Sequence, residues 1–218
     1  MTTRKLIGTN RQFPIGKIVC LARNYAEHAR ELGNEIPAAP VLFMKPASSV
    51  IGDGDSVLIP SYSQECDFEV ELAVLIGKQC RAVSAANAFE YVAGYGVAID
   101  MTLRDVQNKL KSKGLPWEIA KGFDTACPLS DFVPADTVAD PHALNLKLEV
   151  NGEGRQNGCS SDMINRIPQI IAHISAIFTL DPGDVILTGT PVGVGQVRAG
   201  EVMTAEIGTV GRLTIPVA

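Results

Sequence analysis

Apolar and polar positions along this chain mark more strands than helices. The densest signal is Cys66-Asp67-Phe68-Glu69-Val70-Glu71-Leu72-Ala73-Val74-Leu75-Ile76-Gly77-Lys78, where β-branched and apolar residues predict one strand closed by Gly-Lys. Residues i and i+2 of a strand share a face, so Glu69 and Glu71 lie together, opposite Phe68, Val70 and Leu72. A second apolar run over 94–101 predicts another strand, with Asp100 near its end. Further strands are expected over 17–22, 40–45, 55–60 and 184–187, with two more closing the chain. The segments flanking Asn151-Gly152 predict a hairpin, because Asn-Gly suits a type I′ turn. Helices are expected over 23–32, stopped by Gly33-Asn34, over 84–92 with Ser84 as N-cap, over 102–113, and over 168–178 with Pro168 in the first turn.

Composition narrows the class. The 218 residues, 46% of them hydrophobic, suit one sizeable globular domain; residues 1–16 read as a lead-in and residues 17–218 as the domain proper. A net charge of −5 without a basic stripe argues against nucleic acid. The N-terminus lacks an apolar leader, and no apolar run approaches the ~18 residues of a membrane span, so no membrane partner is expected. Five cysteines without a Cys-x-x-Cys pair suit reduced thiols in a cytoplasm. With only His28, His142 and His173 available, a zinc site built on His and Cys is not expected; His142 reads as a loop residue and His173 as a core or flank residue of its helix.

The chemistry lies in a few constellations. Two carboxylates side by side repel unless a cation lies between them. Glu69 and Glu71 therefore fit either a solvated edge strand or a hard-cation site, with Asp100 as third ligand for Mg²⁺ or Mn²⁺. The apolar run that follows them favours the buried alternative. His28 and Glu31 are i and i+3 on the 23–32 helix, either a surface pair or a dyad in which the carboxylate holds the imidazole as a general base. That helix has little apolar surface and reads as a lid that orders with ligand. Arg104 and Gln107 share a helix face; Arg104 either pairs with Asp100 or Asp105 or clamps a substrate carboxylate. Lys121 stands among small residues, either solvated or placed to steady an oxyanion. The Gly-rich loop 188–195 is not a P-loop, but its backbone and the Thr190 hydroxyl suit a small anion.

Together these motifs resemble the fumarylacetoacetate hydrolase family, closest to its small single-domain branch of acylpyruvate hydrolases and oxaloacetate decarboxylases. The resemblance rests on Cys20-Leu-Ala-Arg-Asn-Tyr-Ala-Glu-His28-Ala-Arg-Glu31, Phe68-Glu69-Val-Glu71-Leu-Ala-Val, Asp100-Met-Thr-Leu-Arg104-Asp-Val-Gln107, Lys113-Gly-Leu-Pro-Trp-Glu-Ile-Ala-Lys121-Gly-Phe-Asp and Thr179-Leu-Asp-Pro-Gly-Asp-Val-Ile-Leu-Thr-Gly-Thr190-Pro-Val-Gly-Val-Gly. It implies an α+β fold, a mixed β-sandwich roll with a few peripheral helices, and a homodimer. It implies Mg²⁺ or Mn²⁺ on Glu69, Glu71 and Asp100, a catalytic His28–Glu31 dyad on a lid helix, and Lys121 beside the substrate. Arg23, Arg104, Gln107 and Thr190 would then surround a small 2-oxo acid. The implied reaction is hydrolysis of the C–C bond of an acylpyruvate such as acetylpyruvate or fumarylpyruvate; decarboxylation or keto–enol tautomerisation of oxaloacetate is the alternative on the same site. Two positions depart from the family pattern. Ala22 stands where glycine is common, and alanine tolerates positive φ poorly, so a changed turn into the lid is expected. Ile99 stands where Asn often precedes the metal aspartate.

Overall fold

The two longest apolar runs of the chain pair with each other. In the computed structural model, which describes residues 2–31, 33 and 35–218, Val70–Ile76 and Val92–Ile99 are antiparallel neighbours, with Val70 opposite Ile99. They lie in a six-stranded sheet ordered Val133–Pro134, Val92–Ile99, Val70–Ile76, Val185–Leu187, Ile18–Ala22, Val41–Lys45. Only the Val185–Leu187 and Ile18–Ala22 pair is parallel, so the sheet is mixed. Every residue of Val70–Ile76 is buried, which explains why it reads as a continuous run instead of an alternation. One face packs through Leu72 and Val74 against Leu146, Leu148, Met203 and Ile215 of a second, four-stranded antiparallel sheet. The other face, with Ala73 and Leu75, is covered by Leu6, Phe13 and Ile15 from the N-terminal hairpin of Thr3–Lys5 and Gln12–Pro14. This is an α+β fold with few helices.

Several elements differ from expectation, each for a local reason. The 66–78 segment is two strands, Cys66–Phe68 and Val70–Ile76, broken at Glu69. The first belongs to a separate three-stranded sheet with Gly195–Val197 and Thr102–Leu103. Residues 55–60 form no strand; Val57 makes a single bridge to Val217. Residues Ala85–Tyr91 form a 3₁₀ helix, and the Ser84 side chain does not cap it. The expected 102–113 helix begins only at Arg104, giving α2 (Arg104–Ser112) after the two-residue strand. The helix expected over 23–32 is α1 (Ala26–Glu31); Leu32, within that range, and Asn34, in its expected stop, lie outside the described residues. The left-handed residue of the turn into it is Arg23, with φ 59°, while Ala22 ends a strand and escapes the conformation that alanine resists. The expected hairpin is present, with Asn151 and Gly152 both at positive φ as a type I′ turn requires. A four-residue helix, α3 (Glu118–Lys121), carries Lys121. In α4 (Ile167–Ile177), Ile167, Ile170, Ile171 and Ile174 face the core and His173 sits half-buried on the flank. His142 is half-buried too, and its Nε2 accepts the Ile167 N–H at 3.1 Å, serving the first turn of α4. Among the described residues no helix is long and apolar enough to cross a membrane.

Candidate metal centre and catalytic pocket

The pairing of Val70 with Ile99 decides where the acids meet. Glu69 and Glu71 flank Val70, and Asp100 follows Ile99, so antiparallel register brings all three to one end of the sheet. Each offers an oxygen within 4.8 Å of the others. They are 5%, 1% and 0% exposed, which removes the solvated-edge alternative. Three cations are built against them. Lys121 Nζ donates to Glu69 Oε2 at 2.9 Å, Asp100 Oδ2 at 2.6 Å and Thr102 Oγ1 at 2.5 Å, so it is buried and its three donors are committed. Arg104 donates from Nε to Asp67 Oδ2 at 2.7 Å, from Nη2 to Glu69 Oε1 at 2.5 Å and from Nη1 to Gln107 Oε1 at 2.8 Å. Its carboxylate partners are thus Asp67 and Glu69, neither of the two expected from its own helix end. Lys45 Nζ lies 2.7 Å from Asp100 Oδ1.

The electrostatics differ from one acid to the next. Burial alone would raise the Glu69 carboxyl, but Lys121 and Arg104 hold it well below the ordinary carboxylate range. Glu71 has no such cation in contact. Burial, then Asp100 and Glu69, push its carboxyl well up, against the Gly189 N–H that donates to its Oε2 at 2.6 Å. Burial lowers Lys121, yet Asp100 and Glu69 more than restore it, and it remains an ammonium. The donor set fits a hard divalent cation: three carboxylate oxygens converge, and buried Asp100 Oδ1 accepts no hydrogen bond, since Lys45 approaches it off the hydrogen-bonding direction.

Above this cluster lies a pocket lined by Arg23, His28, Glu69, Glu71, Arg104, Gln107, Lys121 and Thr190. It thereby gathers eight of the residues singled out in the sequence; Asp100 lies buried beneath Lys121, and Glu31 reaches the pocket through His28. His28 is buried, and its Nδ1 is 3.2 Å from Glu31 Oε2. Glu31 uses its other oxygen to accept the Gly193 N–H at 3.0 Å, tying α1 to the Gly-rich loop. The walls include residues that sequence reasoning passed over. Phe43 and Trp117 meet with ring centroids 5.9 Å apart, and Lys121 Nζ stands 4.9 Å from the Phe43 ring. Lys45, 1% exposed, donates to Met101 O at 3.1 Å, Ala126 O at 2.9 Å and Lys121 O, fixing the backbone around Asp100 and Lys121. The signal for Lys45 was its place at the end of an apolar run before Pro46; for Asp67, its place two residues before Glu69.

Comparisons with known proteins agree with this geometry. Residues 17–218 match the family model described as fumarylacetoacetate (FAA) hydrolase C-terminal. The chain is 53% identical over 190 residues to the bovine (Bos taurus) mitochondrial oxaloacetate tautomerase FAHD1, covering 87% of this chain and 86% of that one. It is 51% identical over 191 residues to the Arabidopsis thaliana protein of the same name, covering 88% and 86%. The crystal structure of fumarylpyruvate hydrolase from Pseudomonas aeruginosa, in complex with Mn²⁺ and pyruvate, superposes with a TM-score of 0.95 at 36% identity, covering 100% of this chain and 95% of that one.

Proposed function

The chain belongs to the fumarylacetoacetate hydrolase family, and on that premise we propose that it interconverts the keto and enol forms of oxaloacetate or a closely similar 2-oxo dicarboxylate. The observation that carries this reading is one pocket that holds a carboxylate-backed imidazole and several cations and whose floor is the cluster of three converging acids. The names of its relatives at 51–53% identity support oxaloacetate over an acylpyruvate, reversing the order expected from the motifs. The pocket's Arg23, Arg104, Lys111 and Lys121 suit a dianion. Glu69, Glu71 and Asp100 would hold Mg²⁺ or Mn²⁺, which when bound supplies Lewis-acid polarisation of the 2-oxo acid.

The chain's own groups handle the proton. Glu31 accepts from Nδ1–H of His28 and so leaves the lone pair on Nε2. Nε2 takes a proton from C3 of the substrate; the C–H pair becomes the C2=C3 double bond and the 2-oxo oxygen gains the proton. Arg104 has two N–H groups beyond the three it has committed, and the Gln107 amide nitrogen is free to donate because its oxygen faces Arg104. These donors receive the 2-oxo carboxylate, while Arg23 faces the distal carboxylate. Hydrolysis of an acylpyruvate is the second reading, supported by the likeness to the fumarylpyruvate hydrolase structure. There the same imidazole takes a proton from water, which attacks the distal carbonyl, and the C–C pair leaves on the pyruvate fragment. All five cysteines are free, which suits the cytoplasmic setting expected from the sequence. The homodimer remains part of this reading, on the family resemblance.

The experiment supplies oxaloacetate, fumarylpyruvate and acetylpyruvate to the protein with Mg²⁺ and follows enol absorbance and pyruvate together. Tautomerisation removes oxaloacetate enol without forming pyruvate, stops in EDTA, and falls about 10²- to 10⁴-fold in His28→Ala. Enol decay at the buffer rate refutes the reading; pyruvate from an acylpyruvate transfers it to hydrolysis.

A further inference from the structure

The strand Glu153–Cys159, Glu-Gly-Arg-Gln-Asn-Gly-Cys, carries no large apolar side chain, and only Gln156 on it is buried, 2% exposed. Its neighbour across the ladder is Leu148, a core residue, so an apolar side chain would be the ordinary choice there. A buried amide must satisfy both of its ends, and Gln156 does. Its Oε1 accepts the Val70 N–H at 2.9 Å, the peptide between Glu69 and Glu71 where the strand breaks. Its Nε2 donates to Pro191 O at 2.9 Å and to Thr190 Oγ1 at 2.8 Å.

These contacts leave no freedom of orientation. A backbone N–H on one side and a backbone carbonyl on the other fix which end of the amide is oxygen. The second Nε2–H then makes Thr190 Oγ1 an acceptor on that side, so the hydroxyl proton is directed elsewhere. Thr190 lines the pocket and is 2% exposed, and no donation from its hydroxyl to another described residue competes. We propose that Gln156 is a positioning residue that polarises Thr190, turning its O–H into a committed donor for a ligand oxygen of the 2-oxo carboxylate. The inference rests on the reading of the pocket as a 2-oxo acid site.

A double-mutant cycle tests it, with pyruvate as the probe on the Mn²⁺-loaded protein, using calorimetric Kd and thermal midpoint as readouts. A donor lost to a charged oxygen corresponds to about 10- to 100-fold in affinity, so Thr190→Val should weaken pyruvate by that factor. Gln156→Leu should weaken it comparably, and the double variant should be no weaker than Thr190→Val alone, within about twofold. Gln156→Glu retains the acceptor for Val70 and loses both donors; it should reproduce the affinity loss even where Gln156→Leu fails to fold. Effects that multiply, or a Gln156→Glu protein that binds pyruvate like wild type, overturn the proposal. A wild-type protein that takes up Mn²⁺ but not pyruvate overturns the reading of the pocket, and this inference with it. One that binds pyruvate but turns over none of the three substrates overturns only the proposed reaction.

Discussion

Lys45→Met keeps the length of the side chain and removes its charge. In the folded protein the Lys45 ammonium donates to three buried carbonyls, Met101 O, Ala126 O and Lys121 O, and stands 2.7 Å from Asp100 Oδ1. The substitution orphans the Met101 and Lys121 carbonyls, leaves Ala126 O with the Met101 N–H alone, and strips one buried carboxylate of a counter-charge. An unsatisfied buried neutral group costs about 1–3 kcal/mol, and a buried ion pair broken on one side about 3–5 kcal/mol. The terms overlap, because relaxation at one group relieves its neighbours. A net loss of about 4–7 kcal/mol follows, against the roughly 5–15 kcal/mol that holds a typical domain together. A divalent cation on Glu69, Glu71 and Asp100 replaces the missing positive charge, so the deficit should be smaller at saturating Mg²⁺ than in EDTA. Urea unfolding followed by the fluorescence of Trp117, the only tryptophan, measures both conditions. Adding Asp100→Asn should recover part of the loss in EDTA, since Asp100 would otherwise be left with Lys121 alone, which it shares with Glu69. A deficit under about 1 kcal/mol, or one identical with and without Mg²⁺, would refute the account of Lys45 as the counter-charge of Asp100.

Two further predictions concern the edges of the site. Burial, with the Arg166 guanidinium next, holds the His142 imidazole below its ordinary 6.5, since Nε2 must stay unprotonated to accept from Ile167. A depressed folded value means stability that is present above pH 6.5 and lost as pH falls further; wild type should lose more stability between pH 7.5 and 5 than His142→Ala, and equal slopes in the two denaturation series would count against this. Gly193 sits at φ +100°, and a Cβ there would run into Arg155 O while its N–H holds Glu31. Gly193→Ala should therefore cost about 1–3 kcal/mol and speed amide exchange in α1, so mass-spectrometric exchange of residues 26–31 that matches wild type would sink the idea of a latch.

Much of the fold was legible wherever the cause was local. The Asn151-Gly152 hairpin followed from two residues that tolerate positive φ. The 94–101 run, the 184–187 run and the 168–178 helix were recovered to within a residue or two at each end. Failures came where a segment's fate depends on a distant partner. Val57-Leu58-Ile59 has strand chemistry, but it meets only the tail of the last strand: the Val57 N–H donates to Pro216 O and Val57 O accepts the Ala218 N–H, a single bridge, while the Leu58 N–H turns to Thr125 Oγ1. The 66–78 strand breaks at Glu69 because the Val70 N–H goes to Gln156, 86 residues away. The helix expected to have little apolar surface is α1, which buries His28 and Ala29 and meets the Gly-rich loop through Glu31, a partner 162 residues away that local composition does not reveal.

The site shows the same division more sharply, because charges choose partners by space and not by sequence. The acids were legible as a set: strand alternation placed Glu69 beside Glu71, and Asp100 ended the adjoining run. Their cations were not. Arg104 was weighed against Asp100 and Asp105 on its own helix end, but it pairs with Asp67 and Glu69, 37 and 35 residues back. Lys121 among small residues fitted either solvation or an oxyanion, but its two ion pairs were not legible: the small flanks let the chain bury it between Glu69 and Asp100. Lys45 was only a strand end. In each case a buried cation stands where hydrophobicity would place an apolar group, and desolvation makes such a placement costly unless carboxylates are already assembled there. The three buried cations and the acids they pair with, Asp67, Glu69 and Asp100, therefore explain one another: neither set is tolerable at this depth alone. The tighter holding of Glu69 than of Glu71 leaves Glu71 as the carboxyl with most to gain from a further positive charge.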